Sequence, residues 1–230
     1  MTSALSPDGT LRLVIFDCDG VLIDSEGVSC RIIAQLARDL GVPVSDEEAV
    51  PRFGGKALVE IKRELEQACG ATLSDDWVQA IKMQFIEAFG REAGVIDGTY
   101  DMLDAVQALG LPVRVGSNSS MAEMDAKFGS AGLQERLNGR IHSAVDMNAP
   151  KPAPDVYLHA AAEEGVKPEN CVVLEDSDTG ARAAIIAGMT CVLLRPEDQP
   201  APAWPGLLRI GALSEFPVLL ETALRVQARK

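Results

Sequence analysis

From Thr99 to about Pro196 the chain alternates between helical and short apolar stretches, and this alternation restricts the fold more than any other feature. "TYDMLDAVQALG" has apolar residues at helical spacing, "PVRVGSNS" runs apolar into a polar turn, "SMAEMDAKFGSAG" is helical again, and "RIHSAV" is a second short strand. "PAPDVYLHAAAEEG", "CVVLEDSDTG", "ARAAIIAGM" and "TCVLLRP" continue the pattern. Strands separated by helices pair in parallel, because the helix carries the chain back along the sheet. The pattern therefore predicts an α/β fold with a doubly wound, Rossmann-like parallel sheet.

Earlier in the chain the pattern differs. "LVIF", residues 13 to 16, reads as a buried strand of the same sheet. From Glu26 to about Ala93 helix then follows helix. "SEGVSCRIIAQLARDLG" ends at Gly41, Ser45 and Glu48 form a capping box, and "KALVEIKRELEQACG" stops at Gly70. A further helix is predicted from about Asp75 to Phe89, with Ser74 as its N-cap. The expected organisation is a catalytic core of residues 1–25 and 94–230, with an all-helical cap, 26–93, inserted after the first strand. A proline-rich loop, 197–206, precedes a short final segment.

Composition narrows the function. A formal charge of −13 is wrong for a nucleic-acid surface, which needs clustered lysine and arginine. No apolar run reaches the ~20 residues of a membrane span, and "MTSALSPDGT" lacks the blocks of a signal peptide. Cys18, Cys30, Cys69, Cys171 and Cys191 are odd in number and have no CxxC spacing, which fits reduced thiols in a cytoplasm.

In open α/β sheets ligands bind beyond the carboxyl ends of the strands, so the residues delivered there carry the chemistry. The first strand delivers Asp17 and Asp19, two apart and therefore on one side of an extended backbone, before a turn at Gly20. Two carboxylates in one place are costly unless a cation binds or one keeps its proton. "VRVG" delivers Ser117 and Asn118, "CVVL" delivers Glu175 and Asp176, and Lys151 lies between them in "APKPAP". This set suits phosphoryl transfer through an aspartyl phosphate. Mg²⁺ on Asp17 and Asp176 would screen nucleophile from phosphate. Lys151, Ser117 and the N–H groups from Cys18 to Gly20 would bind phosphate oxygens. Asp19 would protonate the leaving alcohol and then activate water. Cys18, between the aspartates, points the other way.

These motifs, in this order and over essentially the whole chain, resemble the haloacid dehalogenase superfamily of phosphatases and phosphomutases. "DCDGVLIDS" is similar to its nucleophile motif, "SNS" to the phosphate-binding second, "KP" to the third and "EDS" to the acidic fourth. The resemblance implies Asp17 as nucleophile, Asp19 as acid/base and as a carbonyl ligand to Mg²⁺, and Asp176 as a further ligand. Glu175 stands beside it as a direct ligand or as outer support. Ser25 is a candidate contact for the substrate phosphate, and Asp24 for the cap hinge. Arg52 and Lys56, which bracket "FGG" in the cap, are either solvated charges or a grip on an anionic substrate. The expected substrate is a small phosphorylated metabolite such as a sugar phosphate. A β-phosphoglucomutase-type reaction is the alternative. Ser29 stands where such mutases have a histidine and Leu58 where their cap has an arginine, so hydrolysis is favoured. A phospho-accepting signalling domain would share the Asp, Lys and Mg²⁺ chemistry but lacks the second aspartate and the cap.

Overall fold

The computed structural model describes residues 3–229. The chain enters the sheet through β1 (Leu13–Phe16), turns at Gly20 and forms the short β2 (Ile23–Asp24). Four helices follow: α1 (Glu26–Asp39), α2 (Asp46–Phe53), α3 (Leu58–Cys69) and α4 (Trp77–Glu92). β3 (Gly94–Val95) then pairs antiparallel with β2, so the two strands that lead into and out of the helical cap are hydrogen-bonded to each other. The rest alternates as α5 (Thr99–Ala108), β4 (Val113–Ser117), α6 (Met121–Ser130), the short α7 (Gln134–Leu137), β5 (Ile141–Ser143), α8 (Asp155–Glu163), β6 (Cys171–Glu175), α9 (Asp178–Ile186), β7 (Thr190–Leu194), β8 (Leu207–Ile210) and α10 (Glu215–Gln227).

Among the described residues the main sheet has the order β5-β4-β1-β6-β7-β8, every pair parallel. The chain moves outward from β1 on one side through β4 and β5, and on the other through β6 to β8. β1 is thus the switch point, where crossovers diverge and leave a crevice at the carboxyl ends. Its four residues are all buried because helices cover both faces. Val14 and Phe16 face one apolar cluster, which includes Phe128, Leu220 and cap residues such as Ile61 and Phe85. Leu13 and Ile15 face a second, with Val156, Tyr157 and Ala184. Phe216 of α10 meets Phe16 edge-on at 6.0 Å.

Several ends are set by local chemistry that the sequence displays. Ser45 and Glu48 close a reciprocal capping box on α2, and Ser120 and Glu123 do so on α6. Elsewhere the structure departs from expectation. α4 starts at Trp77, not Asp75, because Ser74 accepts the Trp77 N–H through its backbone carbonyl, and the helix continues past Phe89 to Glu92. The final segment is not short: α10 has 13 residues, with Phe216, Leu220 and Ala223 buried at helical spacing. Pro217 falls in its first turn, where no intrahelical N–H is required. Among the described residues no helix is long and apolar enough to cross a membrane.

Candidate active site

β1, β4 and β6 lie side by side, so the residues at their carboxyl ends converge. Asp17 continues the ladder, its N–H donating to the Leu174 carbonyl at 2.9 Å. Lys151 reaches between two strands: its Nζ donates to Asp17 Oδ1 at 2.6 Å and to Glu175 Oε1 at 2.7 Å. The ammonium is buried and stands 4.7 Å from the Tyr157 ring centroid. Glu175 is fully buried and well satisfied. Oε1 also accepts from the Tyr157 hydroxyl at 2.6 Å, and Oε2 accepts from the Ser177 N–H at 3.1 Å and hydroxyl at 2.9 Å. Gly180 is required beside it, since a Cβ there would lie 1.6 Å from Oε1.

Oxygens of Asp17, Glu175 and Asp176 lie within 4.8 Å of one another. Fully ionised, the three carboxylates against the single charge of Lys151 would leave two negative charges over, a repulsion that shows in their proton affinities. Burial, opposed by Lys151 and reinforced by Glu175, Asp176 and Asp19, raises Asp17 well above the usual carboxylate range. Burial and then Glu175 push Asp176 up to about 7. Burial alone would raise Glu175 too, but Lys151 and the Tyr157 hydroxyl hold it low. Lys151 in turn is raised, because the attraction of Asp17 and Glu175 outweighs its burial. Gly20, at φ +79°, completes the cradle: a Cβ there would sit 2.0 Å from Asp176 Oδ2. Hard oxygen donors whose ionised forms repel one another fit a divalent cation, with Asp17 and Asp176 as the side chains to hold it.

Asp19 occupies a second, distinct environment. Its Oδ1 accepts from the Ser25 hydroxyl and, at 2.6 Å, from Lys127 Nζ. Its Oδ2 accepts from the Ser119 hydroxyl at 2.7 Å. Burial would raise Asp19, but Lys127 and these hydroxyls bring it below the usual range. The two aspartates, two residues apart, are thus pushed in opposite directions, with Asp19 held ionised against Lys127. Cys18 between them is buried in the apolar cluster.

The other expected residues are placed as follows. Ser117 is buried at the end of β4, and its Oγ accepts the Ser119 N–H at 3.0 Å. Asn118 turns to the lysine loop, its Oδ1 accepting the Lys151 N–H at 2.8 Å, so it braces Lys151. The Gly20 N–H donates to the Ile23 carbonyl at 2.9 Å, and the absence of a side chain at Gly20 shapes the turn and clears space for Asp176. Arg52 and Lys56 each pair with Glu64 at 2.8 Å, contacts that stay within the cap. Sequence reasoning missed Ser119, Lys127, Tyr157 and Ser177. One signal for Lys127 was present: it lies in the apolar stripe of α6 between Met124 and Phe128, where a lysine needs a buried counter-ion.

An Asp-x-Asp strand end beside a buried lysine, with helices inserted after the first strand, places this chain among α/β enzymes. The chain belongs to the haloacid dehalogenase-like hydrolases, whose family model matches residues 11–188. It is 29% identical over 211 residues to a 6-phosphogluconate phosphatase of Escherichia coli K12, covering 91% of this chain and 94% of that one. It is 28% identical over 193 residues to a fructose-1-phosphate phosphatase of the same strain, covering 79% and 95%. Among solved structures, a haloacid dehalogenase family hydrolase from Deinococcus radiodurans R1 with bound phosphate and sodium superposes with a TM-score of 0.75 at 29% identity, covering 94% of this chain and 98% of that one.

Proposed function

We propose that this enzyme is a phosphatase for small phosphomonoesters of the sugar-phosphate class, working through a phosphorylated Asp17. One observation carries the reading: Lys151, buried, bridges Asp17 and Glu175 while Asp19 stands two residues on in its own hydrogen-bonded pocket. An Asp17 oxygen attacks phosphorus and the ester P–O bond breaks. Asp19, ionised against Lys127 at rest, first takes up a proton from solvent and then delivers it to the departing alcohol oxygen. Lys151 and the Ser117 hydroxyl neutralise charge on the phosphoryl oxygens. In the second step water attacks the same phosphorus, Asp19 takes back a proton, and the Asp17 carboxylate is released with inorganic phosphate. Mg²⁺ held by Asp17, Asp176 and the Asp19 carbonyl would supply charge neutralisation between nucleophile and phosphate. Glu175, with both oxygens hydrogen-bonded, holds Lys151 and acts on the metal from outside its ligand shell. The sugar-phosphate phosphatases of E. coli among its relatives support this substrate class.

Hydrolysis is favoured over the mutase reaction because a mutase must grip its sugar at both ends. The Ser29 hydroxyl is turned inward, donating to the Ser25 carbonyl at 2.9 Å, and Leu58 opens α3 without a charge. The test is a panel of sugar phosphates with released phosphate as readout, run beside β-glucose 1-phosphate primed with glucose 1,6-bisphosphate. Free phosphate that disappears in Asp17→Asn supports the reading. Glucose 6-phosphate without free phosphate favours the mutase.

A further inference from the structure

Among the described residues Lys127 is the one cation that touches Asp19, and nothing in the phosphatase chemistry above uses it. It sits on α6 with its side chain 3% exposed, donating to Asp19 Oδ1 at 2.6 Å and to the Ser119 hydroxyl at 2.9 Å. Its ammonium also stands 4.6 Å from the ring centroid of Phe89, in the last helix of the cap. One turn further along α6, the Ser130 hydroxyl donates to the Phe89 carbonyl at 2.5 Å. Ser25, which donates to the same Asp19 oxygen, sits at the N-terminus of α1, where the chain enters the cap. Both passages between core and cap therefore meet at one carboxylate, directly through Ser25 and by way of Lys127 from Phe89.

We propose that Lys127 is the positioning residue for Asp19, and that its contact with Phe89 ties the orientation of the proton-transferring carboxylate to the seating of the cap. A lysine buried only for stability is a poor device, because an apolar residue of similar size usually serves as well or better. Here, among the described residues, the hydrogen-bond partners of the ammonium are the acid/base and the serine that shares it, with Glu123 acting only at longer range. With Lys127 in place, the Asp19 carboxylate is held from Ser25, Ser119 and Lys127 and has little rotational freedom. Without it, Oδ1 keeps a single hydroxyl donor and the Ser119 hydroxyl, which donates to Oδ2, loses the ammonium it accepts from.

The inference rests on the phosphatase reading, and leaving-group dependence separates the two. Phenyl phosphate releases a phenolate like that of tyrosine, which needs a proton, whereas p-nitrophenyl phosphate releases a far more stable anion. In single-turnover experiments Lys127→Met should slow phenol release by about 10²-fold, the low end of the contribution of a positioned acid. KM for phenyl phosphate should stay within about twofold, and release of p-nitrophenol within about threefold, which also reports a folded site. Phe89→Leu, apolar and therefore easily folded, should show the same leaving-group split at about threefold to tenfold. Equal losses on both esters, or no loss on either, in an active wild-type background would overturn the inference alone. A wild-type enzyme that releases phosphate from neither ester overturns the phosphatase reading and this inference with it.

Discussion

Glu175 shows how much depends on one carboxylate. Its oxygens accept from Lys151, Tyr157 and Ser177, so Glu175→Ala leaves an ammonium and two hydroxyls without that acceptor in a closed interior. Breaking a buried pair in this way costs roughly 3–5 kcal/mol, which urea unfolding should register as a large fall in midpoint. His142 gives a pH signature elsewhere. Burial, then His159 and Arg114, lower it to about 4, so the unfolded chain binds its proton first. Stability contributed by the neutral ring is complete above the ordinary histidine value and is lost as pH falls from about 6.5 toward 4. Thermal melts at pH 7 and pH 5 should differ less in His142→Asn than in wild type. At this scale, legibility followed the backbone. Asp17 could be read because its N–H continues the β1 ladder, and Lys151 because prolines and strand order fix its loop; Asp19 lies beyond β1 in its own pocket with Ser25, Ser119 and Lys127, which strand alternation does not give. Ser119, Lys127 and Tyr157 could not, because their roles arise only where α6 and α8 meet β1 and β6. Periodicity gives a face, and the partner across the gap comes from tertiary packing.

At the scale of elements, the inserted helices share one apolar cluster with the core. β2 and β3 form a two-stranded link, and α4 packs on α6 through Phe89 and Ser130. Arg52 and Lys56 share Glu64 between them. Glu48 also acts on Arg52, so what this part of the cap offers an anionic sugar acid or a second phosphate is the two cationic groups themselves and not a net charge. Arg52→Ala should therefore raise KM for 6-phosphogluconate several-fold and leave KM for p-nitrophenyl phosphate unchanged in steady-state assays. Equal effects on both would return these residues to a role in cap packing. The strands and most helices were readable because period and length agree with burial. The start of α4, the short α7 and the length of α10 were less so. Their limits come from backbone hydrogen bonds at Ser74, from a brief turn and from a proline tolerated in a first turn, none of which alters periodicity.

For the whole molecule the dominant fact is charge. A chain of −13 concentrates three carboxylates at its switch point with one lysine to offset them. A divalent cation that binds this folded arrangement and not the unfolded chain stabilises the fold by mass action, about 2.7 kcal/mol at one hundred times Kd. The melting temperature should rise with Mg²⁺ concentration, EDTA should reverse the rise and silence turnover, and Asp176→Ala should abolish most of the shift. A melting temperature indifferent to Mg²⁺ would contradict this. The central claim, that phosphate passes through Asp17, is tested most directly by trapping it. Enzyme mixed with excess p-nitrophenyl phosphate is quenched in acid during turnover and reduced with borohydride, which converts an aspartyl phosphate to homoserine. The peptide containing Asp17 is then read by mass spectrometry. Homoserine at position 17 is expected in wild type and none in Asp17→Asn; steady turnover with Asp17 unmodified, or the modification on another residue, would rule out a phosphorylated Asp17.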